Sequence, residues 1–219
     1  MEKEGVSAPS SVPWDARLAR WVVRPLAASS ITPNHLTTLR LAVGLAAAAW
    51  FARGTYAACN IGALLACASN FLDHTDGELA RIAGKSSRFG HVYDLISDAL
   101  VTITLFVAIG IGAQGKIAVG IPTVWLGALS GGAIALIFIL RLRIEDRMGK
   151  AGTQQAAIAG FEIEDMLYTL PLLTLLDATV PMLLLSAVCA PLFAVWVVVD
   201  YRRKMRMPVP EGPPQADTG

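Results

Sequence analysis

Long apolar blocks joined by short charged connections constrain this chain more than any other feature. Six blocks run over about Leu36 to Phe51, Ala57 to Ala80, Gly90 to Ala113, Ile117 to Leu140, Ile163 to Leu176 and Pro181 to Val199. A bilayer-crossing helix needs roughly 20 predominantly apolar residues at 1.5 Å rise each, with every backbone polar group paired inside the segment. The blocks therefore predict an all-α integral membrane bundle of six transmembrane helices. The first and fifth are short, so those helices are expected to extend into flanking polar sequence. Charged residues make up 16% of the 219 and hydrophobic residues 54%, whereas a soluble domain carries about a quarter charged residues. The net charge of +1 identifies no partner, and no nucleic-acid partner is expected.

The placement of charge is more informative than its sum. Lys3, Arg17, Arg20, Arg24 and Arg40 precede or open the first block, and Arg81, Lys85 and Arg88 separate the second from the third. Arg141, Arg143, Arg147 and Lys150 separate the fourth from the fifth, and Arg202, Arg203, Lys204 and Arg206 follow the sixth. The alternate connections hold only Arg53 and Lys116, so sixteen of the eighteen basic residues fall on one side. The positive-inside rule then predicts cytoplasmic N- and C-termini, with the Arg81 connection on the same side, in a protein of the inner or cytoplasmic membrane.

Residues 1–12 read as a disordered tail. Over 13–30, Trp14, Leu18, Trp21, Val22 and Leu26 recur at helical spacing opposite Asp15, Arg17, Arg20 and Arg24. That pattern predicts an amphipathic helix in the membrane interface, with tryptophans at headgroup level; the packed face of a soluble helix is the alternative. The transmembrane domain is expected over 31–201 and a cytoplasmic tail over 202–219. Pro9, Pro13 and Pro25 break the polar beginning of the chain, so no cleavable signal peptide is expected. Cys59, Cys67 and Cys189 are too few and too widely spaced for a disulfide framework or a zinc motif, and they read as small buried hydrophobes.

Chemistry concentrates where the second and third blocks meet. Asp73 and Asp76 are three residues apart and Asp94 and Asp98 four apart, so each pair shares a helix face. Gly77, Ala80 and Gly90 beside them permit close approach of a helix or a ligand. Four carboxylates bordering apolar helices repel one another and resist leaving water. Salt bridges to Arg81, Lys85 and Arg88 would answer for any one of them. Divalent cations would answer for the whole set, and all-oxygen ligands select Mg²⁺, Mn²⁺ or Ca²⁺ over zinc. Two such ions would balance the four charges. Metals at a membrane surface suit phosphoryl-group chemistry, with a spare carboxylate to take a proton from an attacking hydroxyl. Acidic residues in helices also line cation transporters, but no matching acidic set reaches the far side.

The run Asp73-x-x-Asp76-Gly77-x-x-Ala80-Arg81-x8-Gly90-x-x-x-Asp94-x-x-x-Asp98 resembles the signature of the CDP-alcohol phosphatidyltransferase family, with no gap. Pro33-Asn34-His-Leu-Thr37-Thr-Leu-Arg40 resembles the family's entry to its first span. The resemblance implies that Asp73, Asp76 and Asp94 bind metal, and that Asp98 completes the site and acts as general base. It implies two divalent cations, Mg²⁺ or Mn²⁺. Gly77, Ala80 and Arg81 would form the wall that receives cytidine diphosphate, with Asn34, Thr37 and Arg40 assisting. A homodimer is also implied.

The implied reaction is attack by a small polar alcohol on the lipid-linked phosphate of CDP-diacylglycerol or another CDP-lipid, releasing CMP. A second branch uses CDP-choline or CDP-ethanolamine with diacylglycerol; the compact length lies nearer the first group. Arg141, Arg143, Arg147 and Lys150 could bind a phosphorylated acceptor or touch anionic lipid. Glu162, Glu164 and Asp165 could receive a cationic or polyol acceptor or pair with those arginines, and His74 and His91 could contact substrate.

Overall fold

Turn chemistry divides the apolar chain into its helices. The computed structural model describes residues 14–27, 29–84, 87–117, 120–148 and 167–207, and among these the backbone forms seven helices and no strand. They are α1 (Trp14–Ala27), α2 (Pro33–Phe51), α3 (Tyr56–Ala83), α4 (Arg88–Gly112), α5 (Thr123–Met148), α6 (Leu170–Leu175) and α7 (Thr179–Met205). Pro33 opens α2 where its missing N–H has no intrahelical partner to lose. Thr55 Oγ1 accepts from the Ala58 N–H at 3.3 Å, and Ser87 Oγ accepts from the Gly90 N–H at 3.0 Å. A hydroxyl thus satisfies one orphan donor at the start of α3 and of α4. Gly84, at φ 61°, closes α3 in the left-handed conformation.

Two boundaries depart from the hydropathy pattern. Helix α5 begins at Thr123 rather than Ile117, because Gly120 turns the chain at φ 72° and Pro122 follows it. It then runs to Met148, so Arg141, Arg143 and Arg147 stand in its last turns rather than in a connection. The second departure concerns the fifth block. Its described part is a single turn at 167–169 followed by the six-residue α6; residues 163–166 lie outside the described residues, as do Lys3, Lys85, Lys150, Glu162, Glu164 and Asp165. Helix α7 extends through Asp200 and Tyr201 to Met205, carrying Arg202, Arg203 and Lys204 in its final turn.

By length and composition, α4, α5 and α7 are each apolar enough to cross a membrane. Helix α2 packs against α3 and α4, α4 against α5, and α5 against α7, while α1 and α6 lie against α3. The main core is built largely from small side chains, including Ala47, Ala63, Ala66 and Ala108, around Phe51, Leu105, Ile109 and Leu183. Large apolar residues point outward: on α7, Leu185, Leu192, Val195 and Val199 are 60–67% exposed. Small inside and large outside suits helices that meet each other through close backbone approach and meet lipid on their outer faces.

Cys59 is buried and Cys67 half-buried, but Cys189 is exposed on α7 rather than buried. An apolar position on an outer helix can face the surroundings as readily as the core. Helix α1 also divides its apolar residues differently from the helical-spacing pattern. Val23 is fully buried against Leu36 and Leu79, with Leu26 packed beside it, while Trp21 and Val22 are exposed.

Candidate metal centre

Three helices converge on one acidic cluster, and α2 supplies a partner for every carboxylate in it. Asp73 and Asp76 lie a turn apart in α3, and Asp94 and Asp98 a turn apart in α4. One carboxylate oxygen from each of Asp73, Asp76 and Asp94 lies within 4.8 Å of the other two. Asp98 stands outside that group of three and joins the cluster through Arg40.

The Arg40 side chain is 3% exposed. Its Nη1 donates to Oδ1 of Asp73 and of Asp98, and its Nη2 donates to the Asp94 carbonyl at 3.1 Å. Nη2 is also 3.2 Å from Asp94 Oδ1, an ion pair without an aligned hydrogen bond. The fourth carboxylate is held by Thr37, whose hydroxyl donates to Asp76 Oδ2 at 2.8 Å. Arg40 is itself braced, since the Ser69 hydroxyl donates to its carbonyl at 3.0 Å.

One guanidinium among four carboxylates leaves three negative charges at a partly buried site if all four are ionised. The donors are all oxygen, three of them converge, and a buried oxygen of Asp94 lacks a hydrogen bond. That donor set fits a hard divalent cation such as Mg²⁺ or Mn²⁺.

Beneath the cluster is a cavity of about 40 Å³, lined on its polar side by Arg40, Ser69, Asn70, Asp73, Asp98 and Thr102. Asn70 is buried, with no hydrogen-bond partner for its Nδ2. A cavity needs roughly 10–15 Å³ of such volume for one water, so a few waters or a small polar group fit.

The residues expected to receive a nucleotide lie just beyond Asp76. Gly77 sits inside α3, where glycine costs about 1 kcal/mol relative to alanine. A Cβ built there meets nothing within 4 Å among the described residues, so packing does not explain the glycine. Ala80 is half-buried on the same side of the helix, and the Arg81 side chain is 72% exposed. Asn34 Oδ1 lies 2.9 Å from the place of a Cβ on Gly90, where the starts of α2 and α4 meet. His91 is exposed and His74 half-buried.

Two of the three arginines of α5, Arg141 and Arg147, make contacts on the α7 side. The Arg141 guanidinium lies 5.6 Å from the centre of the Phe193 ring, and Arg147 is 3.5 Å from both Met205 Sδ and the Met207 carbonyl.

Asn70 and Glu78 were not singled out by sequence reasoning, nor were Ser69 and Thr102 of the cavity wall. Asn70 lies three residues before Asp73 on the same helical face, a periodicity that could have revealed it. Glu78 sits at an unspecified position of the aspartate run, and no spacing rule separates a buried glutamate from a solvated one.

The family model described as CDP-alcohol phosphatidyltransferase matches residues 30–199. No curated protein matches the chain significantly.

Proposed function

The chain belongs to the CDP-alcohol phosphatidyltransferase family, and from that premise we propose that it transfers a phosphatidyl group from CDP-diacylglycerol, or a related CDP-lipid, to the hydroxyl of a small polar alcohol. The observation that carries this reading is the convergence of the three aspartate oxygens beside Asp98. Asp73, Asp76 and Asp94, with Asp98 completing the set, would hold two divalent cations, Mg²⁺ or Mn²⁺. Such ions neutralise phosphate oxygens and stabilise the charge that develops on them.

The protein's own groups supply the proton chemistry and the positioning. As the alcohol oxygen bonds to the lipid-linked phosphorus, the Asp98 carboxylate takes the hydroxyl proton. The bond from that phosphorus to the cytidylate oxygen breaks, and CMP leaves. Arg40 holds Oδ1 of Asp98 and leaves Oδ2 for the proton, and a side chain 42% exposed can pass it on to water. Thr37 and Arg40 assist by holding carboxylates, because their polar atoms are engaged there. Gly77, Ala80 and Arg81 receive the cytidine diphosphate, and the open space over Gly77 supports that role. Asn34 assists from the start of α2.

The same reading places a six-span transmembrane domain over 31–201 in the cytoplasmic membrane, with the metal centre and both termini facing the cytoplasm. Helix α1 lies in the interface with Trp21 outward, residues 1–12 and the segment after Met205 form tails, and two copies associate as a homodimer. The lipid tails then stay in the bilayer while the nucleotide meets the site from water.

The test is a reconstitution screen. Purified protein with Mg²⁺ or Mn²⁺ is given CDP-diacylglycerol and a panel of polar alcohols, and the lipid product is identified by mass spectrometry. CDP-choline with diacylglycerol forms the counter-panel. A new phospholipid together with CMP in the first panel supports the reading, and product only in the second reverses donor and acceptor.

A further inference from the structure

Glu78 is one of the most buried acidic side chains described, at 3% residue exposure, and it lies outside the metal-binding set. Both of its oxygens are engaged. Arg20 Nε on α1 donates to Oε2 at 3.0 Å, and Arg81 Nη1 donates to Oε1 at 2.6 Å. A buried carboxylate needs such partners, and removing them leaves a costly unpaired charge. At about 100° per residue, Asp73, Gly77 and Ala80 share one face of α3, while Glu78 and Leu79 turn toward the side where α1 packs. Arg81 stands between the two faces.

We propose that Glu78 is a positioning residue that couples the seating of α1 to the nucleotide side of the site. Arg20 fixes the Glu78 carboxylate from α1, and that carboxylate fixes the Arg81 guanidinium. One of the five guanidinium donors is spent on the grip, and the head remains largely exposed for a diphosphate. Val23, packed against Leu79 and Leu36, seats α1 from the apolar side, so α1 holds α3 through an apolar contact and an ionic one. This inference rests on the reading of Arg81 as part of the donor-binding wall.

The test is equilibrium binding of CDP with Mg²⁺ to the full-length protein in lipid nanodiscs. The variants are Arg20→Gln, Arg20→Lys, Glu78→Gln and Arg81→Ala, with Arg20→Gln also made in the Arg81→Ala background. Arg20→Gln is expected to weaken CDP about fivefold, the scale of a partly exposed charge-assisted contact. Arg20→Lys should recover part of that loss. In the Arg81→Ala background Arg20→Gln should do nothing further, whereas a merely structural role of α1 would still lower affinity there. Should Glu78→Gln fail to fold, the Arg20 variants alone decide the matter, since Arg20 is half-exposed. Wild-type affinity in Arg20→Gln, or equal losses in both backgrounds, overturns the coupling while leaving the donor reading intact. Unchanged CDP affinity in Arg81→Ala, or no CDP binding by the wild type, removes the donor reading and the coupling with it.

Discussion

Arg40 shows at the scale of a residue how a cluster of carboxylates is kept together within a helix bundle. Its guanidinium contacts Asp73, Asp94 and Asp98, which lie 33 to 58 residues away in sequence. Removing one partner of a buried ion pair costs about 3–5 kcal/mol, and the partial exposure of these aspartates reduces that to roughly 2 kcal/mol. Arg40→Met is therefore expected to lower the melting temperature without divalent cations, with most of the loss recovered in Mg²⁺; thermal unfolding in both conditions checks it. Gly77 makes the opposite case. Gly77→Ala meets no neighbour among the described residues and gains helix propensity of up to about 1 kcal/mol, so the fold should be as stable or more so. The methyl group enters the space assigned to the nucleotide, and a rise of about tenfold in KM for CDP-diacylglycerol is expected. Unchanged kinetics would remove Gly77 from the donor wall. The four aspartates were legible because helical spacing reports directly on which residues share a face. Arg40's place among them was not, since no local pattern encodes a contact between helices so far apart in the chain.

Between elements, close backbone approach sets the geometry. A Cβ on Gly127 of α5 would lie 2.1 Å from the Phe106 carbonyl oxygen of α4, so α4 and α5 pack together through that glycine. Gly127→Ala must push the two helices apart, and a loss of about 1–3 kcal/mol is expected. Gly132→Ala, five residues on with nothing within 4 Å among the described residues, should leave thermal stability unchanged or raised. Equal melting temperatures for the two variants would contradict this packing. Helix positions were largely readable from hydropathy: α2, α3, α4 and α7 each overlap an expected apolar block. The start of α5 was not, because Ile117 continues the apolar pattern while Gly120 and Pro122 set the backbone. The burial of Val23 rather than Trp21 was hidden for a related reason. Helical periodicity identifies apolar positions but does not say whether protein or lipid covers them.

At the scale of the whole molecule, an apolar bundle carries a partly exposed acidic site that keeps three negative charges when all four aspartates are ionised, since Arg40 is the only buried arginine among the described residues. Cations that bind the folded state and not the unfolded chain stabilise it by mass action, about 2.7 kcal/mol at a hundredfold excess over Kd. Chelation with EDTA should therefore lower the melting temperature and stop turnover together, and restored Mg²⁺ or Mn²⁺ should reverse both. Family membership was legible from the motif because that motif is chemistry written at fixed spacing. The acceptor was not legible: of the basic residues offered for it, Arg141 and Arg147 make contacts on the α7 side.

The most direct test of the metal centre and its base is CMP release from CDP-diacylglycerol by Asp98→Asn beside wild type, across a Mn²⁺ titration with the acceptor found by the screen. The account predicts a loss of about 10²–10⁴-fold in kcat, the range for removing a general base, in a protein that still unfolds cooperatively and still gains stability from Mn²⁺. Turnover at the wild-type rate in Asp98→Asn would contradict it.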